Sequence, residues 1–395
     1  MRKSVTKQML TTDIRQMSMS MISSMGNFLP KKKIVIAGDQ TVNWVAVGGG
    51  GLIAKSTNGN VWTTAANVSS VSGKGGITTY GKGVAYGKDG NGAGLWVAVG
   101  EGGIIAKSTN GNVWTTVAGA ATNKGGITTQ GTGVAYGKDG NGAGLWVAVG
   151  EGGLIAKSSN GNDWTTVAGA TDNKGGITTY GLGVAYGKDG NGAGLWVAVG
   201  AGGIIAKSSN GNDWTPAAGL ATNKGGITSA GWGVAYGKDG NGAGLWVAVG
   251  EGGIIAKSTN GNVWTPAHTS TYGNVGGILY VGFDVAYGKD GNGAGLWVAV
   301  GRGGLIAKST DGNIWTPAAT STYGNVGGLI DTKRVAYGKD ETGAGLWVAV
   351  GWGGIIAKST DGNVWTPAAR STYGNVGGIT SGYSVAFNEI LYLRT

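Results

Sequence analysis

No cysteine occurs among the 395 residues, so neither a disulfide framework nor a thiolate metal site is available, which fits any compartment. Proline is scarce at 5 residues, and the abundant glycine shows no G-X-Y period, which excludes a collagen-like chain. His268 is the sole histidine and has no base-orienting partner near it in sequence. No run of eighteen apolar residues appears, so no membrane-spanning helix is expected. Residues 1–33 lack a secretory apolar core because Asp13, Arg15 and Gln16 interrupt it.

What is present is unusual. Glycine accounts for 85 residues and tryptophan for 16, with a hydrophobic fraction of 41%. Disorder requires low hydrophobicity and few aromatics, so the composition reads as many short strands joined by tight turns. Arg2, Lys3, Lys7, Arg15, Lys31, Lys32 and Lys33 stand against Asp13 alone, so +6 of the net charge of +10 sits in residues 1–33. All 6 methionines lie in the first 25 residues. This composition shift near Pro30 separates a basic, Met-rich arm (1–33) from a repeat domain (34–395), and an acidic partner is expected for the arm.

Aligning the chain on W-V-A-V-G places Trp44, Trp96, Trp146, Trp196, Trp246, Trp297 and Trp347 at spacings of 52, 50, 50, 50, 51 and 50 residues. Such a period is propeller-sized. Each unit holds four apolar runs, in the second unit VAYG (84–87), LWVAVG (95–100), IIAKS (104–108) and VWTTV (113–117). We label them A to D. The C–D connection contains Asn-Gly or Asp-Gly in every unit, from Asn58-Gly59 through Asp311-Gly312 to Asp361-Gly362, which predicts a two-residue type I′ hairpin. Continuous apolar runs such as LWVAVG imply strands buried on both faces.

Four antiparallel strands repeated seven times predict an all-β fold, a seven-bladed β-propeller, with no helix after residue 33. The second tryptophan of each unit, from Trp62 to Trp365, joins the first in blade-to-blade packing. The A pattern occurs once more than the others, as IVIAG (34–38) at one end and SVAF (384–387) at the other. One terminal strand is therefore expected to complete the blade opened by the other end, and EILYLRT (389–395) could add a further strand.

The internal copies differ mainly in two places. The residue after WVAVG is Gly49, Glu101, Glu151, Ala201, Glu251, Arg302 or Trp352. The stretch before VAYG holds Tyr80/Lys82, Gln130/Thr132, Tyr180/Leu182, Ala230/Trp232, Val281/Phe283, Lys333/Arg334 and Tyr383. Antiparallel order puts A–B and C–D turns on one face and B–C and D–A turns on the other. A uniform scaffold face is thus expected opposite a variable face bearing Tyr80, Lys82, Glu101, Glu151, Tyr180, Trp232, Glu251, Phe283, Arg302, Lys333, Arg334, Trp352 and Tyr383. Aromatic and arginine side chains anchor interfaces, and loops on rigid scaffolds carry binding, so the partner expected there is a protein or a glycan.

KDGNGAG offers one carboxylate, Asp89, where calcium needs six or more oxygen ligands, so it is read as a long hairpin turn without metal. The recurrent lysines, such as Lys88 and Lys107, are not interleaved with base-stacking aromatics, and nucleic acid is not expected on the propeller. No cofactor is expected.

The stretch S-T-N-G-N-V-W resembles the Asp-box, or BNR repeat, of sialidases and many non-enzymatic propellers. Ser108, Asn110, Gly111 and Trp114 stand at the motif positions, and Ser309, Asp311, Gly312, Trp315 and Ser359, Asp361, Gly362, Trp365 match it with the acid present. Five units carry Asn instead of Asp, and Ser and Trp are one residue closer than usual. The resemblance implies a box whose side chains bond the hairpin, a feature of fold and not of activity. It also covers photosystem assembly-factor propellers and repeat proteins of phage and giant-virus particles.

Sialidases of this kind use three arginines and a Tyr–Glu pair with an Asp. The repeat domain has Arg302, Arg334, Arg370 and Arg394, the first three at different repeat positions, and most tyrosines are the VAYG residue. Glu101, Glu151 and Glu251 share one repeat position, whereas a glycosidase needs two acids in distinct environments. The expectation is therefore a non-enzymatic binding or structural propeller with no catalytic residues, on a virion or cell surface. The alternatives are a sialidase-like hydrolase and an organellar assembly factor whose arm is a transit peptide.

Overall fold

In the run GLWVAVG every residue after the first glycine is buried, as a strand flanked by neighbours on both edges and both faces requires. A computed structural model describes residues 42–65, 77, 79–118, 127, 129–168, 177–217, 227, 229–268, 280–319, 331–368 and 381–388. They belong to one unit. The arm, IVIAG (34–38), the EILYLRT tail, Arg370 and Arg394 lie outside the described residues.

The strands form seven sheets of four, each in the order A-B-C-D. In the second blade these are Gly81–Lys88, Gly94–Gly100, Ile105–Ser108 and Thr115–Ala118. Each A strand packs beside the A strands of both neighbouring blades, so A lies at the axis and D at the rim. No α-helix occurs among the described residues; a single 3-10 turn spans Arg302–Gly304.

Ring closure is made by the C-terminal strand. Gly382–Phe387 pairs antiparallel with Trp44–Gly48 and stands between the A strands Thr332–Lys339 and Gly81–Lys88. SVAF thus fills the A position of the first blade, and Phe387 sits 4.8 Å from Trp44, where other blades pair Tyr with Trp.

Between blades, the B-strand tryptophan of one blade packs on the Leu and Val of the preceding B strand, as Trp347 does on Leu296, Val298 and Val300. Its indole also donates across the gap: Trp146 Nε1 to Lys88 O at 2.9 Å, and Trp347 Nε1 to Lys289 O at 2.8 Å. Each buried Trp removes about 150–250 Å² from water, worth about 4–6 kcal/mol at about 25 cal/mol per Å².

The C–D connection differs from the expected two-residue hairpin. Strand C ends at Ser108 and D starts at Thr115, because side chains build a wider loop. Ser108 Oγ accepts the Gly111 N–H, Asn110 Oδ1 accepts those of Asn112 and Val113, and Trp114 Nε1 donates to Gly111 O, all within 3.1 Å. Gly111 holds φ +69°. The A–B loop is stapled in the same way, with Asp89 Oδ1 accepting the N–H groups of Asn91 and Ala93 at 2.9 Å.

Candidate functional site: the axial cavity of the variable face

The two faces are distributed as strand order dictates. A–B and C–D loops come together in common clefts, and the variable positions gather at the other end of the axis. They do so mainly as strand residues rather than as a D–A loop. Strand A starts at Gly81, Gly231, Gly282, Thr332 and Gly382, so Lys82, Trp232, Phe283, Lys333 and Tyr383 all occupy its second position. In six blades the residue after strand B forms a bridge to the next blade, as Glu151 does with Tyr180 and Trp352 with Ser381. The two variable places are therefore neighbours across those six junctions.

Lys82, Tyr180, Trp232, Glu251, Phe283, Lys333, Arg334, Trp352 and Tyr383 line one cavity of about 590 Å³, together with Gln130, Thr132, Leu182 and the small residues Ala201, Gly202, Ser229 and Ala230. Four expected residues lie beside it. Tyr80 packs edge-on against Tyr383 at 5.7 Å, Glu101 lies 4.0 Å from Lys82, and Glu151 accepts the Tyr180 hydroxyl at 3.0 Å. Arg302 stands over the Tyr280 ring at 6.0 Å, and its charge acts on Lys333 of the cavity wall. Phe283 is only 9% exposed and so belongs to the wall, not to a displayed surface as the sequence suggested.

The wall is preorganised by cation–π contacts. Lys333 Nζ sits 3.5 Å from the Phe283 centroid and 4.9 Å from that of Trp352. Lys82 Nζ sits 4.1 Å from Tyr383 and 4.9 Å from Tyr80. Burial pushes both ammonium groups below the usual lysine range, and Glu101 and Asp331 oppose the shift. The Tyr180 hydroxyl is held above its ordinary range by its hydrogen bond to Glu151 and that group's charge.

A smaller space of about 140 Å³ adjoins the cavity, sharing Thr132, Trp232 and Arg334 with it. Its wall is glycine in four blades (Gly83, Gly133, Gly183, Gly233) and Asp284, Arg334 and Ser384 in the other three. These three tie adjacent blades together. Asp284 Oδ2 accepts the Val335 N–H at 3.1 Å, Arg334 Nη1 donates to Phe283 O at 2.9 Å, and Ser384 Oγ accepts the Val84 N–H at 3.2 Å. Burial raises the Asp284 carboxyl, against the pull of Arg334 and two backbone N–H groups. Arg334 thus lines the cavity while its Nη1 is held by the protein's own backbone. Asp284 and Ser384 escaped notice in the sequence; the signal was their replacement of an otherwise recurrent glycine. No cluster of three metal-ligating side chains occurs among the described residues.

No family model matches the chain, and no curated protein does. The resemblance to Asp-box proteins therefore rests on the loop residues alone. Among solved structures, the chain is similar to YCF48 from Cyanidioschyzon merolae, with TM-score 0.50 and 16% identity over 80% of this chain and 94% of that one. It is also similar to Chaetomium thermophilum Sqt1 bound to the N-terminus of ribosomal protein L10, with TM-score 0.48 and 13% identity over 83% and 86% of the two chains. At these identities the likeness is one of fold: an all-β propeller of seven four-stranded blades.

Proposed function

We propose that this chain is a non-enzymatic binding propeller that takes a segment of a partner protein into the axial cavity of its variable face. One observation carries the proposal: residues that differ between near-identical repeats line a single cavity of about 590 Å³. Concave, mostly apolar sites with a few convergent polar groups are where ligands bind. A protein segment suits the cavity better than a glycan. In this cavity a sugar ring would stack on the aromatic side chains, and a lysine ammonium already stands over one face of each of Phe283, Trp352, Tyr383 and Tyr80. A rigid ring with one recognition cavity suits the surface of a virus or phage particle, with the basic arm as anchor to an acidic partner.

The hydrolase alternative draws on one feature, the Tyr180–Glu151 hydrogen bond. Against it, Arg302 is not part of the cavity lining and Arg334 donates to a backbone carbonyl. The test is selection of a random twelve-residue peptide library on the full chain, repeated on the Trp232→Ala/Trp352→Ala variant. Peptides enriched by the wild type and lost on the variant are expected. Enrichment that survives both substitutions would reject the cavity as the site. Turnover of an aryl sialoside that Tyr180→Phe abolishes would replace binding by hydrolysis.

A further inference from the structure

The opposite face, uniform in sequence, is not flat. A groove of about 620 Å³ lies between the fifth and sixth blades, and one of about 700 Å³ between the sixth and seventh. Their linings correspond residue for residue. Asp239 and Asn241 answer to Asp290 and Asn292, Lys257 and Thr265 to Lys308 and Thr316, and Asp311 and Asn313 to Asp361 and Asn363. The same groove is therefore built at both of these blade junctions.

Part of this lining serves the fold. Asp239 Oδ1 holds the A–B loop through the N–H groups of Asn241 and Ala243, and Asp311 Oδ1 holds the box through those of Asn313 and Ile314. Both carboxylate residues line the groove. The Lys–Thr pair has no such duty in the loops. It stands in direct cross-strand register in every blade, from Lys55 with Thr63 to Lys358 with Thr366. Lys107 and Lys157 reach Asn162 and Asn212 of the next blade at 2.6 and 2.7 Å. In the two grooves above, the matching Asn313 and Asn363 side chains accept the backbone N–H groups of His268 and Ala319 instead.

The contrast with the other face is informative. The same duplicated units diverge around the axial cavity but keep this half-exposed pair unchanged seven times.

We propose that the uniform face is a second binding surface, whose inter-blade grooves each accept one or two units of a neutral saccharide chain. Carboxylate oxygens as acceptors and ammonium and hydroxyl groups as donors surround an open cleft, the complement of a polyhydroxylated ligand. Lysines and acids are nearly balanced on this face, so a polyanion would meet a carboxylate for almost every lysine. At the rim, Val263 and Ile314 are 55% and 52% exposed and offer an aliphatic contact to the C–H face of a sugar ring. Asp163 and Asp213 replace them in two blades. Weak grooves repeated on a rigid ring gain by avidity on a repetitive polymer.

The test is affinity electrophoresis of the full chain through gels containing dextran, mannan, galactomannan or a soluble β-glucan, with heparin as the polyanion. Three variants run beside it: all seven IAKS lysines changed to Gln, Lys257→Gln/Lys308→Gln, and the variable-face Trp232→Ala/Trp352→Ala. These lysines are partly exposed, and circular dichroism with melting checks that each variant folds. Retardation by at least one neutral polymer is expected, weakened at least about tenfold in the sevenfold variant and unchanged in the variable-face variant. Titration with a short oligosaccharide of that polymer should give more than one site per chain, fewer in the two-groove variant. The proposal falls if no neutral polymer retards the chain, if heparin alone does, if the folded sevenfold variant binds normally, or if the stoichiometry is one. None of these outcomes bears on the axial cavity, which the peptide selection tests separately.

Discussion

Substituting alanine for Gly137 tests how the blades are joined. Gly137 lies in an A strand, and a methyl group there would sit 2.3 Å from Tyr186 Cγ and 2.6 Å from its Cβ, in the next blade. Carbon atoms at ease stand about 3.5–4.0 Å apart, so the deficit exceeds about 1 Å. Rotating the ring does not relieve it, because Tyr186 Cβ is fixed to strand Gly181–Lys188 and the ring leans on Trp196 at 4.9 Å. The two blades must separate locally. Overpacking of this kind costs about 1–3 kcal/mol. For a chain larger than 250 residues that lowers Tm by only a few degrees, so thermal and denaturant unfolding should both be followed. Tyr186→Gly removes both the ring and the Cβ that the methyl would meet. The double variant should then be more stable than the sum of the single losses by about 1–3 kcal/mol. A Gly137→Ala variant within about 0.5 kcal/mol of wild type, or strict additivity in the double variant, would refute this account of blade packing.

Two further outcomes follow from the closure and the boxes. Truncation after residue 380 removes strand Gly382–Phe387, the Phe387–Trp44 contact and the Ser384 hydrogen bond to Val84. The truncated chain should lose cooperative unfolding by circular dichroism, and retention of the wild-type melt would mean another segment closes the ring. Asp311 and Asp361 feel burial, which alone would raise their carboxyls, but hydrogen bonds from Ile314, Asn313 and Ser309 and their counterparts outweigh it and hold both below the usual range. A carboxylate with a depressed folded-state pKa gives stability that is present above the unfolded value near pH 4 and lost as pH falls through the folded one. The Asp311→Asn/Asp361→Asn variant, which copies the other five boxes, should therefore lose less stability between about pH 5 and pH 2 than wild type in denaturant titrations. Parallel acid limbs would contradict this.

The fold was legible because the repeat length, the four apolar runs and the turn residues agree with one another. The loop geometry was not. Asn110-Gly111 has the composition of a two-residue hairpin, yet Ser108, Asn110 and Trp114 bond a wider loop through their side chains, a preference that dipeptide propensity does not carry. Much of the glycine was attributed to turns, whereas Gly87 and Gly137 are strand residues kept bare by a tyrosine of the next blade. Face assignment followed correctly from strand order. The fate of each variable residue did not, because Lys82 and Lys333 turn onto aromatic rings and Arg334 onto a backbone carbonyl. Those choices depend on neighbours 50 or 300 residues away, which periodicity does not reveal.

The central claim, that one face of the ring recognises a partner through its axial cavity, is tested most directly by amide hydrogen exchange of the full chain with and without a peptide selected on it. The account predicts slowed exchange confined to the segments around Lys82, Tyr180, Trp232, Phe283, Lys333 and Tyr383. Slowing in the A–B loops around Asp89 and Asp239 or in the box loops, with the axial segments unchanged, would contradict it.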